Sequence, residues 1–443
     1  MALMARLRGR ARLVAPADQT ARDVFISSVS LVAGKVAVMG FGFLAWVVAA
    51  RLYPVDEFGL ASGAVAAVTL CAQLALLGIG SAVITLLPRY GLRSGRLLDV
   101  AITVLLASSL VAALGFLAFA GTFLAELRVV AAQPIYALLF LSLAVCGTLG
   151  VLFDQASTAR RQGVLVMVRG VAAGIITLAT VAIIGLIGTG TTSLAIFAAW
   201  VAGGLVTAFG GLWTMRRVVE HYRYRPVGDL AMSREVVGVG LPNYALTLAE
   251  RAPGFVLPVI VVELLSPADN AAWYVAWMMA WVVFIIPVQI GMTSFAEIAR
   301  APERTAKLVS DGIRTSLALG AVAALALGLL AGPILGLLGE TYEATAETPL
   351  RVLLLGFVPL TFILAYFSLC RARRRLGEAI VLGAIDAAAS IIVPTLVAQS
   401  SGLVGMALAW LAVQAFIGLV ALARLRRLTR PVAWADIAPE PAA

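Results

Sequence analysis

Twelve apolar stretches, each long enough to cross a lipid bilayer as a helix, follow one another along this chain with only short polar intervals between them. They lie at residues 24–50, 58–87, 99–121, 134–154, 164–187, 192–214, 236–262, 270–296, 314–338, 350–370, 378–398 and 402–423. A helix rises about 1.5 Å per residue, so about 20 apolar residues cross roughly 30 Å of hydrocarbon. Inside lipid the backbone must satisfy its own hydrogen bonds, which leaves helices and closed barrels. These segments are too long for barrel strands and lack their alternating pattern. The expected fold class is an all-α polytopic membrane protein with about twelve transmembrane helices. Composition excludes a soluble enzyme: 62% of residues are hydrophobic and 13% charged, against roughly 45–50% and 25% in soluble domains.

A net charge of +10 would suit a nucleic-acid partner if it were spread over a surface. Here the basic residues fall in clusters between alternate apolar segments, so no nucleic acid is expected. With the N-terminus placed in the cytoplasm, 27 of the 33 basic residues fall on that side, including Arg93, Arg223 and the run Arg371, Arg373, Arg374, Arg375. The opposite loops carry acids such as Asp56, Glu57, Glu263, Asp269 and Glu343. This positive-inside pattern predicts an inner (plasma) membrane location with both termini cytoplasmic. Residues 1–23 hold five arginines and run into the first apolar stretch without a small-residue cleavage site, which predicts a retained first span. Cys71, Cys146 and Cys370 lie within or beside apolar runs, and His221 is the single histidine, so no metal site is expected.

The domain division expected from these segments is a basic N-terminal piece (1–23), an N-terminal lobe (24–214), a cytoplasmic linker (215–235), a C-terminal lobe (236–423) and a cytoplasmic tail (424–443). Leu52, Pro54 and Asp56 recur 213 positions later as Leu265, Pro267 and Asp269. Six spans separate the copies, so the two halves share an orientation. The short loops leave no room for a large catalytic domain, and no nucleophile–base pair or metal set stands out.

Ionisable residues at membrane depth usually face a cavity or a partner. Lys35 stands in the first span, Glu250 and Arg251 in the seventh, and Asp386 in the eleventh. Lys35 and Arg251 are the candidate cavity cations for an anionic substrate. Glu250, Asp386 and the nearby Asn243 are candidates for a coupling ion or for charge balance. The competing reading is that Lys35 snorkels to the interface, Glu250 and Arg251 pair locally, and Asp386 is structural. Pro242, Pro253, Gly254 and Pro258 mark the seventh span as a candidate hinge, because each proline removes an amide donor and tends to bend its helix.

Three stretches resemble the polysaccharide-biosynthesis flippases of the multidrug/oligosaccharidyl-lipid/polysaccharide exporter superfamily. The first is Arg51-Leu52-Tyr53-Pro54 followed by Glu57-Phe58-Gly59. The second runs from Ala331-Gly332-Pro333-Ile334-Leu335 through Gly339 and Tyr342 to Leu350-Arg351-Val352-Leu353. The third is Ser401-Gly402-Leu403-Val404-Gly405-Met406-Ala407. The resemblance implies two six-helix lobes around a central cavity. It also implies transfer of a polyprenyl-linked sugar from the cytoplasmic to the outer leaflet by alternating access. The related lipid II flippases meet pyrophosphate with basic residues of the first span, where Lys35 stands. They hold sodium between spans seven and eleven, which makes Glu250 and Asp386 loose counterparts. Those flippases carry fourteen spans against the twelve read here. The resemblance implies no cofactor beyond a coupling Na+ or H+. The partners it implies are membrane lipids, the glycan substrate and a polymerase or glycosyltransferases. A multidrug/cation antiporter and a non-transporting scaffold for glycan assembly are the alternatives.

Overall fold

The computed structural model describes residues 39–429 except 161, 189, 220, 221 and 227, together with all their side chains but those of 92, 217, 218 and 299. Lys35, His221, the basic N-terminal piece and residues 430–443 of the tail lie outside the described residues. Among the described residues there are helices and no strand. In chain order they are α1 (Met39–Leu52), α2 (Val55–Ala75), α3 (Ile79–Leu86), α4 (Ser94–Phe123), α5 (Arg128–Ala132), α6 (Pro134–Ala159), α7 (Gly163–Ile187) and α8 (Ser193–Val218). There follow α9 (Leu230–Leu264), α10 (Pro267–Arg300), α11 (Thr305–Leu329), α12 (Ala331–Leu338), α13 (Glu340–Leu354), α14 (Phe357–Ala372) and α15 (Leu376–Leu428).

Nine of these are long and apolar enough to cross a membrane, and α13 with α14, bent by 44°, forms a tenth candidate. The 53 residues of α15 would rise about 80 Å as one rod, more than twice the bilayer core. The helix is in fact broken at Gly402, whose φ of 57° and ψ of −155° are non-helical. Each of the twelve expected segments therefore has a helical counterpart, the first through α1. The lipid-facing surface explains the composition. Only 11% of the most apolar stretch of α7, and 11% of that around α11, is buried within the protein. Val111, Phe123, Leu186 and Leu396 stand more than 70% exposed, which water would not tolerate over so continuous a surface.

Three segments expected to be single helices are broken. The stretch 58–87 divides at Leu77 and Gly78, both left-handed at φ 47° and 75°. Glycine suits this conformation because it has no Cβ to clash, and a Cβ on Gly78 would also lie 2.3 Å from the backbone of Gly240. The stretch 314–338 divides at Leu330, between α11 and α12. The stretch 350–370 begins earlier, at Glu340, and bends at Leu355–Gly356. The seventh span carries Pro242, Pro253, Gly254 and Pro258 along α9 without a break in the helix.

The chain forms two compact units. One takes the described residues up to Pro54 with Val68–Leu124 and Arg128–Tyr244; the other takes Val55–Ala67, Ala125–Leu127 and the described residues from Ala245 onward. In the first, a buried core is built around Ile79, Leu97, Leu98, Ile102, Leu152, Phe153 and Met215. The start of α9 joins this unit through the Gly78–Gly240 contact and through Tyr244, whose hydroxyl meets Gln73 at 2.7 Å. The segment before α9 is pinned to α4: Tyr222 Oη donates to Asp99 at 2.8 Å, and the Arg225 amide donates to the same oxygen. Asp229 accepts from the Met232 amide at 3.0 Å and from Arg96 at 2.7 Å, capping the start of α9.

In the second unit, the first turns of α2 meet the start of α10. Asn270 Nδ2 donates to the Gly59 carbonyl at 2.8 Å and to Ser62 Oγ at 3.0 Å. A Cβ on Gly59 would fall 1.7 Å from the carbonyl oxygen of Pro267. The carboxylate of Glu263 accepts three backbone amides, from Ala125, Glu126 and Leu127, and so fixes a loop end that has no helical partner of its own. A second core, with Leu246, Ile363, Tyr366, Phe367, Leu369 and Ile417, lies beside the polar residues described next.

Candidate functional site

Polar side chains in α9, α14 and both halves of α15 converge within the second unit. Gly383 of α15 faces α9, where an added Cβ would lie 2.8 Å from the Leu246 Cδ1 tip. One turn further on, in each helix, stand Glu250 and Asp386, since residues three and four apart share a helix face. Glu250 accepts from Arg371 Nη2 at 2.9 Å, and each of these side chains is 18% exposed. Asp386 is buried and accepts from Ser390 Oγ at 3.1 Å and Gln414 Nε2 at 2.8 Å. Gln414 Nε2 also reaches Ser390 Oγ at 2.8 Å, closing a triangle across the Gly402 break. Its Oε1 is buried without a hydrogen-bond partner among the described residues. The two carboxylates have separate hydrogen-bond partners.

The sequence-predicted residues are thus only partly gathered. Glu250 and Asp386 are neighbours. Arg251 follows Glu250 and is exposed, and Asn243, two turns earlier in α9, is exposed as well. Gly254 lies against α10, where an added Cβ would come 3.0 Å from Trp277 Nε1. Trp277 in turn packs edge-on to Trp410, with ring centroids 5.3 Å apart. Three members of the cluster went unrecognised in the sequence. Arg371 reads as one of four basic residues in a loop, and only its place at the end of α14 brings it to Glu250. Ser390 and Gln414 are uncharged, but Gln414 in the middle of an apolar run was a usable signal, because a buried amide needs partners.

The first unit holds a second set of charges at membrane depth. Arg169 of α7, with a side chain only 3% exposed, forms an ion pair with Asp154 of α6. It also donates to Thr214 Oγ1 of α8 at 3.2 Å, tying three helices together. The arginine stem packs over Gly210, one turn before Thr214, 3.5 Å from where a Cβ would stand, an ordinary contact distance. A buried guanidinium is tolerated only when paired in this way.

No family model matches this chain, and no curated protein matches it. Solved structures do. The lipid II flippase MurJ in an inward closed conformation matches with a TM-score of 0.70 at 12% identity, over 90% of this chain and 87% of that one. An inward-facing multidrug resistance MATE family transporter of the MOP superfamily matches with a TM-score of 0.68 at 14% identity, over 88% and 94%. A mutant of the Vibrio cholerae MATE transporter VcmN matches with a TM-score of 0.61 at 16% identity, over 93% and 97%. At such identities the likeness speaks for architecture alone: this chain has the all-helical membrane fold shared by the MATE transporters and the lipid II flippase.

Proposed function

We propose that this protein is a flippase that carries a polyprenyl-(pyro)phosphate-linked oligosaccharide or sugar precursor from the cytoplasmic to the outer leaflet by alternating access. The work serves cell-surface polysaccharide biosynthesis at the inner (plasma) membrane. The protein is a transporter and makes or breaks no covalent bond. One observation carries this reading within the transporter fold. Glu250 pairs with Arg371, while Arg251 beside it forms no ion pair among the described residues and stands exposed midway along an apolar helix. A charge in that position is costly unless it faces water or an opposite charge, and an anionic phosphate head supplies one. Lys35 is assigned the same role from the first span. The prenyl tail stays in lipid, and a polymerase or glycosyltransferases act on either side of the transfer.

A second reading, a multidrug/cation antiporter, draws support from the MATE transporters among the similar structures and from Asp386. That carboxylate is held by the neutral donors Ser390 and Gln414, as a cation or proton site requires. The deciding experiment reconstitutes the protein in liposomes with a fluorescent polyprenyl-pyrophosphate sugar and, separately, with a cationic dye. Flipping of the sugar lipid that is lost in K35A and R251A supports the flippase. Dye transport against a proton or sodium gradient, with no movement of the sugar lipid, overturns it.

A further inference from the structure

A cavity of about 380 Å³ opens where the ends of α10 and α14 meet the start of α11. Its apolar wall is formed by Phe295, Ile298 and Pro302, and its polar wall by Arg371, Arg373 and Arg374. The four arginines of this turn have different employments. Arg371 is held by Glu250, and Arg375 lies 3.7 Å from Glu378. Arg373 uses one donor on the Leu428 carbonyl at 2.8 Å and keeps the rest of its five. Arg374 is exposed and has no carboxylate partner among the described residues.

Arg374 is also the residue that closes α14. Its φ of 57° is left-handed, and the Arg375 amide returns to the Cys370 carbonyl at 2.8 Å. Glycine closes helices in this way with the least strain. An arginine here accepts the strain and is part of the cavity wall. Positive-inside topology accounts for basic residues on this side of the membrane, but it requires neither a cavity nor a strained arginine facing it. Guanidinium groups beside an apolar wall at the membrane interface match a phosphate ester with an acyl chain attached. A soluble phosphate would use the arginines and leave Phe295 and Ile298 without a role.

We propose that this cavity binds the headgroup phosphate of an anionic lipid drawn from the arginine-rich leaflet. Because Arg371 lines the cavity and also holds Glu250, an occupant there shares a cation with the polar cluster of α9 and α15. The proposal does not depend on which substrate is flipped.

The test is native mass spectrometry of the full chain, released from detergent in the presence of phosphatidylglycerol or phosphatidylcholine. Wild-type protein should retain phosphatidylglycerol in preference to phosphatidylcholine. Arg374→Gly relieves the left-handed strain, so it should unfold no earlier than wild type. It should nevertheless retain about tenfold less phosphatidylglycerol, the loss expected for one charge-assisted hydrogen bond. Arg375→Gln removes the same charge from the same turn without altering the cavity wall and should retain the lipid normally. Equal retention by wild type and Arg374→Gly overturns the proposal, and so does an equal loss in Arg374→Gly and Arg375→Gln, which would indicate surface charge alone. Complete displacement of the lipid by millimolar inorganic phosphate overturns the assignment to a lipid in favour of a soluble anion.

Discussion

Arg371 at the end of α14 donates to Glu250 in the middle of α9 across 2.9 Å, with only 18% of either side chain exposed. Taking two charges this far from water costs several kcal/mol, and their attraction offsets that cost only while both are present. Removing one partner is therefore worse than removing both. R371Q and E250Q should each destabilise the protein by roughly 3 kcal/mol, the low end for a buried pair. The E250Q/R371Q double variant should recover at least half of the summed loss. Thermal unfolding in detergent of the four proteins measures this, and strictly additive losses would show that the pair is not coupled.

Gly59 should tolerate no side chain. Its missing Cβ would sit 1.7 Å from the Pro267 carbonyl oxygen, and backbone cannot move aside as a side-chain tip can. The same displacement would strain the Asn270 bonds to Gly59 and Ser62. G59A is expected to lose at least about 3 kcal/mol, the upper end for overpacking, and to reach the membrane in much reduced amount. Gly383 is the contrasting case, because its neighbour at 2.8 Å is the tip of Leu246. G383A should be expressed near the wild-type level, as read by quantitative immunoblot of membranes.

The architecture was legible because lipid imposes a length on every crossing helix and because charge sorts the loops. Neither signal marks breaks inside an apolar run. Leu77–Gly78, Leu330 and Leu355–Gly356 are embedded in hydrophobic sequence, and it is tertiary contact, such as Gly78 against Gly240, that selects the break. The proline-rich stretch of α9 shows the reverse. Pro242, Pro253, Gly254 and Pro258, which disfavour or bend an isolated helix, sit in one continuous helix. At the site, the ionisable members Glu250 and Asp386 could be named from depth alone. Arg371 could not, because its loop position and its partner lie 121 residues apart in the chain.

The loop charges make a direct expectation about sidedness. Single cysteines at Glu57 and Glu343 should react with an impermeant thiol reagent in intact cells, whereas one at Arg223 should react only after permeabilisation. Background should be low, because Cys71, Cys146 and Cys370 are all buried. Labelling with the opposite polarity would contradict cytoplasmic placement of the arginine clusters.

The segment before α9 should loosen in acid. The Met232 amide and the Arg96 guanidinium hold the Asp229 carboxyl below its ordinary value of 3.8. A carboxyl depressed in the folded state adds stability in full above its unfolded value and loses it as pH falls through the folded one. Amide exchange at Met232 and Ser233, corrected for intrinsic rate, should be flat from neutral pH down to about 5 and rise below about 4. D229N should exchange faster at neutral pH and lose that rise.

Asp386 is the residue through which a cation gradient is expected to act. It is buried, its two bonded neighbours are neutral, and one of them, Gln414, keeps Oε1 without a partner among the described residues. A buried carboxylate with no cationic partner, beside an unsatisfied amide oxygen, suits Na+ or a proton better than it suits an anion. The potential alone already favours moving a negative head outward from an inside-negative cell, by roughly 2.3 kcal/mol per charge per 100 mV. A gradient is therefore most useful for returning the empty protein to its inward state. Glu250 is a weaker candidate, because Arg371 already neutralises it. In proteoliposomes with an imposed sodium or proton gradient, wild-type flipping should accelerate and D386N should not respond. Q414L removes donors to both Asp386 and Ser390 and should cost about 2 kcal/mol in stability while weakening the response. E250Q should slow flipping at every gradient without altering the ratio between gradient and no gradient. A wild-type rate that ignores both gradients would leave Asp386 with a structural role, joining the two halves of α15 through Gln414.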